Sequence, residues 1–161
     1  DQNNKPRQNV IATGGGPGVM EAANRGAHDA NAPSIGFNIT LPMEQEPNAY
    51  STPDLTFRFH YFAMRKMHFA IRASALVVFP GGFGTMDELF EILTLRQTGK
   101  MDDNLPVVLY DSKFWNGLIN FRQFVDSGMV KEDDLNLFGF ADTPRQAWDE
   151  LIRRGLKISK E

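Results

Sequence analysis

The stretch Ala75-Leu76-Val77-Val78-Phe79-Pro80-Gly81-Gly82-Phe83-Gly84-Thr85-Met86-Asp87-Glu88 decides the fold. Five apolar residues stop at a proline and a cluster of glycines, and helical spacing resumes at Thr85. A short apolar run without alternation is how a strand buried on both faces of a parallel sheet reads, and a tight turn into a helix completes a βα unit. The same arrangement stands earlier in the chain, where the run over 10–13 meets Gly14-Gly15-Gly16-Pro17-Gly18 and a helical segment follows. Working outward, apolar runs bounded by Gly, Pro, Asn or Asp recur at 35–39, 76–79 and 107–110, and a fifth strand is placed at 55–59. Helical spacing covers 18–30, 62–73, 85–98, 114–127 and 144–154. Gly99 stands after Thr98 as a C′ glycine does, and Thr143-Pro144 reads as an N-cap followed by an N1 proline. This alternation predicts a three-layer α/β sandwich of parallel strands joined by right-handed crossovers. Ligands in such sheets sit beyond the carboxyl ends of the strands, which singles out the loops leaving Thr13 and Phe79.

Composition narrows the class. With 161 residues the chain is expected to form one domain over 1–161, with residues 1–9 a polar lead-in; that start lacks a methionine, and a truncated or processed chain is expected from it. At 42% apolar and 23% charged residues, a chain of this size buries roughly two-thirds of its unfolded surface, so a real core is expected. The formal charge of −3 gives no electrostatic footprint for nucleic acid. No apolar run approaches the ~18 residues a membrane span requires, and no secretory leader opens the chain, so a cytoplasmic protein is expected. The absence of cysteine removes disulfides, thiol catalysis and thiolate metal sites together.

Two glycine-rich βα turns in one small sheet suggest a nucleotide. Glycines let the backbone approach a ligand closely, and the exposed N–H groups and dipole of the following helix favour a phosphate. The dinucleotide pattern G-x-G-x-x-G fails at each start, since the third glycine falls on Val19, Glu21 or Asp87. A Walker A loop fails as well, because Gly99-Lys100 is followed by Met101 and has no glycine five residues before it. Nothing supports a nucleoside triphosphatase or a hydride-transfer enzyme.

Two constellations can carry chemistry. Asp87 and Glu88 follow Thr85 and are expected in the first helical turn, where the dipole alone would favour acids; they point about 100° apart and do not form a pair. Arg65-Lys66 lies on the helix before the second glycine turn. Its wheel gathers Phe62, Phe69, Ala70, Ala63, Met67 and Ile71 into an apolar arc, with Lys66 inside it, Arg65 at its border, and His68 and Arg72 on the polar side. A snorkelling lysine explains Lys66 structurally. His28, His60 and His68 show no metal-ligand spacing, so a metal centre is not expected, and no G-x-S-x-G elbow supports a serine nucleophile. The seven methionines and thirteen phenylalanines read as core and an oligomer surface.

The run from Pro80 to Glu88, with Arg65-Lys66 beginning 23 positions before Glu88 and Gly14-Gly15-Gly16-Pro17-Gly18-Val19-Met20 further upstream, resembles the LOG family. These are cytokinin riboside 5′-monophosphate phosphoribohydrolases, often labelled lysine decarboxylases, with the pattern P-G-G-x-G-T-x-x-E and an upstream R-K pair. The resemblance covers 10–152. It implies a Rossmann-like homodimer, or a higher homo-oligomer, that hydrolyses the N-glycosidic bond of a purine nucleoside 5′-monophosphate to free base and ribose 5-phosphate, with no cofactor. The family's essential arginine and glutamate fall on Arg65 and Glu88. Its nucleotide-binding backbone falls on Gly82, Phe83, Gly84 and Thr85. Lys66 matches the residue after that arginine, Glu44 and Thr94 look like further substrate contacts, and Gly16, Gly18 and Lys66 are expected with them among the substrate-binding residues. Family members carry an additional strand, serine-containing turn and helix ahead of the segment equivalent to Val10, and the chain as given lacks that unit.

Two other readings compete. A decarboxylase needs pyridoxal phosphate held as a Schiff base, for which Lys66 is the sole candidate and no acid for the pyridine nitrogen can be named. A nucleotide carrier or sensor would use the same turns without hydrolysis, and the joint presence of Arg65 and Glu88 speaks for an enzyme instead.

Overall fold

The computed structural model describes residues 9–40, 46–101 and 105–158. The fold is α/β with wholly parallel sheets flanked by helices, the Rossmann-like three-layer class that the alternation predicts. The chain divides at Arg72 and Ala73 into two compact units.

In the first unit, β1 (Ile11–Thr13), β2 (Ser34–Ile39) and β3 (Thr56–Phe59) form a three-stranded parallel sheet in that order. Helix α1 (Val19–Asp29) connects β1 to β2, and a 3-10 turn at Pro53–Leu55 leads into β3. Register pairs Ile11 with Ser34 and Gly36 with Thr56. Helix α2 (Phe62–Arg72) follows β3 and packs on the sheet. The face it buries differs from the predicted arc. Arg65, His68 and Phe69 are half-buried, with Phe69 edge-on to Phe37 at 4.9 Å and His68 against Phe59 at 5.2 Å, whereas Phe62, Ala63, Met67 and Ile71 are exposed. The imidazole, counted as polar on the wheel, behaves here as a flat ring stacked among phenylalanines, and this turns the helix.

In the second unit, β4 (Leu76–Val78), β5 (Val107–Tyr110) and β6 (Gly139–Ala141) form another parallel sheet, again in chain order. Val107, Val108 and Leu109 are fully buried, as are Leu89 and Trp115. Each such side chain contributes about 1.5–3 kcal/mol of burial. Helix α6 (Pro144–Arg153) closes one side, with Ala147 and Leu151 packed against Val108 and Ala141. Thr143 caps it by accepting from the Gln146 N–H at 3.2 Å, as its sequence predicts. Helix α3 (Phe83–Gln97) ends at Thr98, after which Gly99 takes φ of 67° as the expected C′ glycine.

The helix predicted over 114–127 is two helices, α4 (Ser112–Leu118) and α5 (Phe121–Asp126). Ile119 is extended at φ −127° and ψ 121°, and the Asn120 side chain accepts from the Gln123 N–H to start α5. An asparagine offering a local acceptor competes with helix continuation, and here it wins. Strand β6 was not expected: its three residues, Gly139-Phe140-Ala141, carry no β-branched run. The 3-10 segment Glu132–Leu137 leads into it.

Candidate functional site

Each unit carries one glycine turn at the carboxyl end of a strand. In the first unit the turn follows β1. Gly15 and Gly18 both take φ of 70°, left-handed values that favour glycine. The turn is held from beneath by a buried polar network. The Gly15 N–H donates to Thr13 Oγ1 at 3.0 Å, Thr13 Oγ1 donates to Asn24 Oδ1 at 2.7 Å, and Asn24 Nδ2 donates to Ser34 Oγ at 2.9 Å. Asn48 approaches from the loop before β3: its N–H donates to the Gly15 carbonyl at 2.8 Å, and its Nδ2 donates to the Gly16 carbonyl and to Asn24 Oδ1, each at 3.0 Å. Asn24 and Ser34 are 0% and 1% exposed, so this unit has hydrogen-bonded amides where the second has valine and leucine.

Arg65 projects from α2 onto this turn. Its Nε donates to the Phe37 carbonyl at 2.7 Å, and its guanidinium lies 5.3 Å from the Phe69 ring centre. A Cβ added to Gly14 would sit 2.5 Å from Arg65 Nη2 and 2.7 Å from Met20 Sδ. The arginine and the thioether therefore rest where any side chain at residue 14 would be. Lys66, one position on, is half-buried. Together with Gly16 and Gly18, Arg65 forms a cationic, N–H-bearing surface suited to an anion at the start of α1, which has no side-chain cap.

In the second unit the turn after β4 opens α3, whose N-cap is Gly82 and which has no side-chain cap either. A Cβ at Gly81 would collide with the Thr85 hydroxyl, so glycine is required there by close approach. Phe83 is 95% exposed, which leaves its backbone as its part of the turn. The first N–H groups of α3, those of Phe83, Gly84 and Thr85, have no side-chain cap, the arrangement that favours an anion at a helix start.

The acids sit differently from the prediction. Because α3 begins at Phe83, two residues before the expected start, Asp87 and Glu88 fall in its second turn. Dipole stabilisation fades within the first turn, so helix position does not explain Glu88. Glu88 is half-buried and Asp87 exposed, which separates the two carboxylates.

Thr94 lies about 15 Å along α3 from Gly84, at a rise of about 1.5 Å per residue, and is not brought to the turn of its own unit. Its Oγ1 donates to the Phe90 carbonyl at 2.7 Å. It lines instead a cavity of about 120 Å³ with Phe90, Leu93, Phe121, Phe124 and Phe138. Glu44 lies outside the described residues. No three His, Asp or Glu side chains come together as a metal site among the described residues, and no described helix is long and apolar enough to cross a membrane. Sequence reasoning missed Asn24 and Asn48, and nothing in their spacing signals that they meet.

Parallel sheets whose glycine turns each open a helix, one beside an arginine and the other followed by a glutamate, define an α/β protein of the Rossmann-like class. The chain belongs to the family whose model, described as "Possible lysine decarboxylase", matches residues 20–151. It is 26% identical over 148 residues to the cytokinin riboside 5′-monophosphate phosphoribohydrolase LOG5 of Arabidopsis thaliana, covering 90% of this chain and 63% of that protein. It is 27% identical over 144 residues to the probable phosphoribohydrolase LOG4 of Oryza sativa subsp. japonica, covering 88% and 61%. LOG3 of Arabidopsis thaliana is 25% identical over 148 residues. The chain thus spans about three-fifths of the length of the first two of these relatives.

Proposed function

We propose that the protein hydrolyses the N-glycosidic bond of purine nucleoside 5′-monophosphates, AMP or an N6-substituted AMP, releasing free base and ribose 5-phosphate. The observation that carries this reading is the Arg65 guanidinium resting on Gly14 in the first glycine turn, a fixed cation at a surface suited to a phosphorylated ligand. The phosphoribohydrolases among its relatives support the reaction class.

Cleavage of the C1′–N9 bond leaves the electron pair on the base and develops oxocarbenium character on the ribose. A carboxylate beside the anomeric carbon stabilises that charge and directs water to it, a role we assign to Glu88. Water supplies the hydroxyl at C1′ and the proton that the departing base takes up. Arg65 stays protonated, so it orients the nucleotide or stabilises the leaving base electrostatically and is not the proton donor. Gly16 and Gly18 in the first unit, and the backbone of Gly82 through Thr85 in the second, each offer N–H groups suited to an anionic oxygen of a nucleotide. The step uses neither a lysine Schiff base nor a metal.

We further propose a homo-oligomer. Met64 is 49% exposed, Met67 52% and Ile71 73%, and at 100° per residue they share one apolar face of α2 of the kind that copies of a chain bury against one another. The test of function is incubation with AMP and N6-isopentenyl-AMP, followed by chromatography for base and ribose 5-phosphate, with Glu88→Ala as control. Release by the native protein and not by the variant is expected. Nucleotide recovered intact would replace hydrolysis by a carrier or sensor role.

A further inference from the structure

Strand β2 sends Ser34, Gly36 and Asn38 to one face of its sheet, since side chains two residues apart share a face. On that face the neighbouring amides are fully engaged. Asn24 accepts from Thr13 and Asn48 and donates to Ser34, and Asn48 donates twice and accepts from the Tyr50 N–H at 3.1 Å. Asn38 stands apart from them. It is only 6% exposed, its Oδ1 is buried without a partner, and its carboxamide makes no hydrogen bond among the described residues. Buried polar side chains are nearly always paired, so an empty one in a well-bonded setting marks a place kept for something else. Its position says where. The register that pairs Thr13 with Gly36 sets Gly15 of the first glycine turn beside Asn38. A Cβ on Gly15 would meet Asn38 Oδ1, with Cγ at 2.8 Å and Nδ2 at 3.1 Å, so the carboxamide fills the side-chain space that the left-handed glycine leaves open.

We propose that Asn38 binds the ribose of the nucleotide, one hydroxyl of the 2′,3′-diol donating to Oδ1 and its neighbour accepting from Nδ2. The inference rests on the proposed nucleotide reading and adds to it a contact that selects the sugar. The turn's N–H groups and the Arg65 guanidinium are donors only, so they serve none of the hydrogens a nucleotide itself presents, which are those of its ribose hydroxyls and, in adenine, the N6 amine. The amine sits on the rim of a planar bicycle that would have to enter the recess with it, whereas a hydroxyl brings a single heavy atom. Asparagine χ2 is a soft torsion, and a carboxamide that holds no bond breaks none in turning toward a ligand. A vicinal diol then matches its adjacent acceptor and donor.

The test is calorimetric binding of ribose 5-phosphate and 2-deoxyribose 5-phosphate to the full chain, native and Asn38→Leu, with melting temperatures for both proteins. Leucine copies the branched shape of asparagine and removes the polar ends. The native protein is expected to bind the deoxy sugar about tenfold or more weakly, because a site built for a hydroxyl leaves its own groups unpaired when that hydroxyl is missing. Asn38→Leu should bind the two sugars alike, within about twofold, at the weaker affinity, while its melting temperature stays native or rises because an unpaired buried amide is gone. A native protein that binds both sugars alike, or neither, overturns the inference, as does a leucine variant that keeps the preference. Lost binding together with a lowered melting temperature makes Asn38 a structural residue and also overturns it. Should leucine overfill the site, Asn38→Ala takes its place, and failure of both variants to fold counts against the inference. No arm needs turnover: intact AMP with the sugar preference present would strike the proposed function alone, and hydrolysis without the preference would strike this inference alone.

Discussion

Arg65 occupies the space that a side chain at Gly14 would need, its Nη2 lying 2.5 Å from where that Cβ would be. Gly14 has no positive φ, so alanine there meets only the mobile ends of Arg65 and Met20. Gly14→Ala is therefore expected to displace the guanidinium at little expense in stability. It should lower kcat/KM about tenfold or more, roughly 1.4 kcal/mol of transition-state stabilisation, with a melting temperature close to native. Gly15→Ala makes the contrast. Gly15 has φ of 70° and faces the buried Asn38 carboxamide, so strain and collision together should cost about 2–4 kcal/mol, visible in chemical denaturation.

Glu88→Gln keeps the shape and removes the charge proposed to face the oxocarbenium. Turnover should fall about 10²- to 10⁴-fold, with nucleotide affinity near native by calorimetry. Asp87→Asn, on the exposed side of the same helical turn, should change turnover less than about twofold. Nearly full activity in Glu88→Gln would remove the carboxylate from the mechanism.

Glu150 accepts from Arg153 at 2.8 Å and from Arg154 at 2.6 Å, and chiefly the Arg153 hydrogen bond holds its carboxyl below the usual range. A carboxyl depressed in the folded state stabilises above its unfolded pKa, about 4.3, and that contribution is lost as pH falls through the lower folded value. The gap in melting temperature between the native protein and Glu150→Gln should therefore be widest near neutral pH and shrink as pH falls below about 4. A gap constant from pH 6 to 3 would show that packing, not ionisation, accounts for it.

The exposed apolar residues of α2 give a test of self-association. Met67→Glu and Ile71→Lys together should convert the proposed oligomer to monomer in sedimentation velocity. Neither side chain is buried within the chain, so folding of the protomer should survive.

Strand β5 was the most legible, because a buried parallel strand is written as a bare apolar run and no polar residue stands between Val107 and Leu109. Strand β6 was hidden because pairing to β5, not its own composition, makes Gly139-Phe140-Ala141 a strand. Both glycine turns stand openly in the sequence. The network beneath the first was not legible, since Asn24 and Asn48 meet only once β1, α1 and the loop before β3 have folded together. The buried face of α2 was misread for the same reason: a wheel counts polarity, while Phe37 and Phe59 select by ring shape.

The contrast between the two interiors sets where the molecule breathes. Strand β5 is paired on both sides through fully shielded residues, so its amide protons will exchange with solvent last, on opening of the whole unit. Strand β1 is paired on one side in its sheet, with Ile11 exposed, and what anchors its far end is a set of amide side chains that water can replace bond for bond. Deuterium will enter there first, and a ligand that seats on Gly16 will slow it.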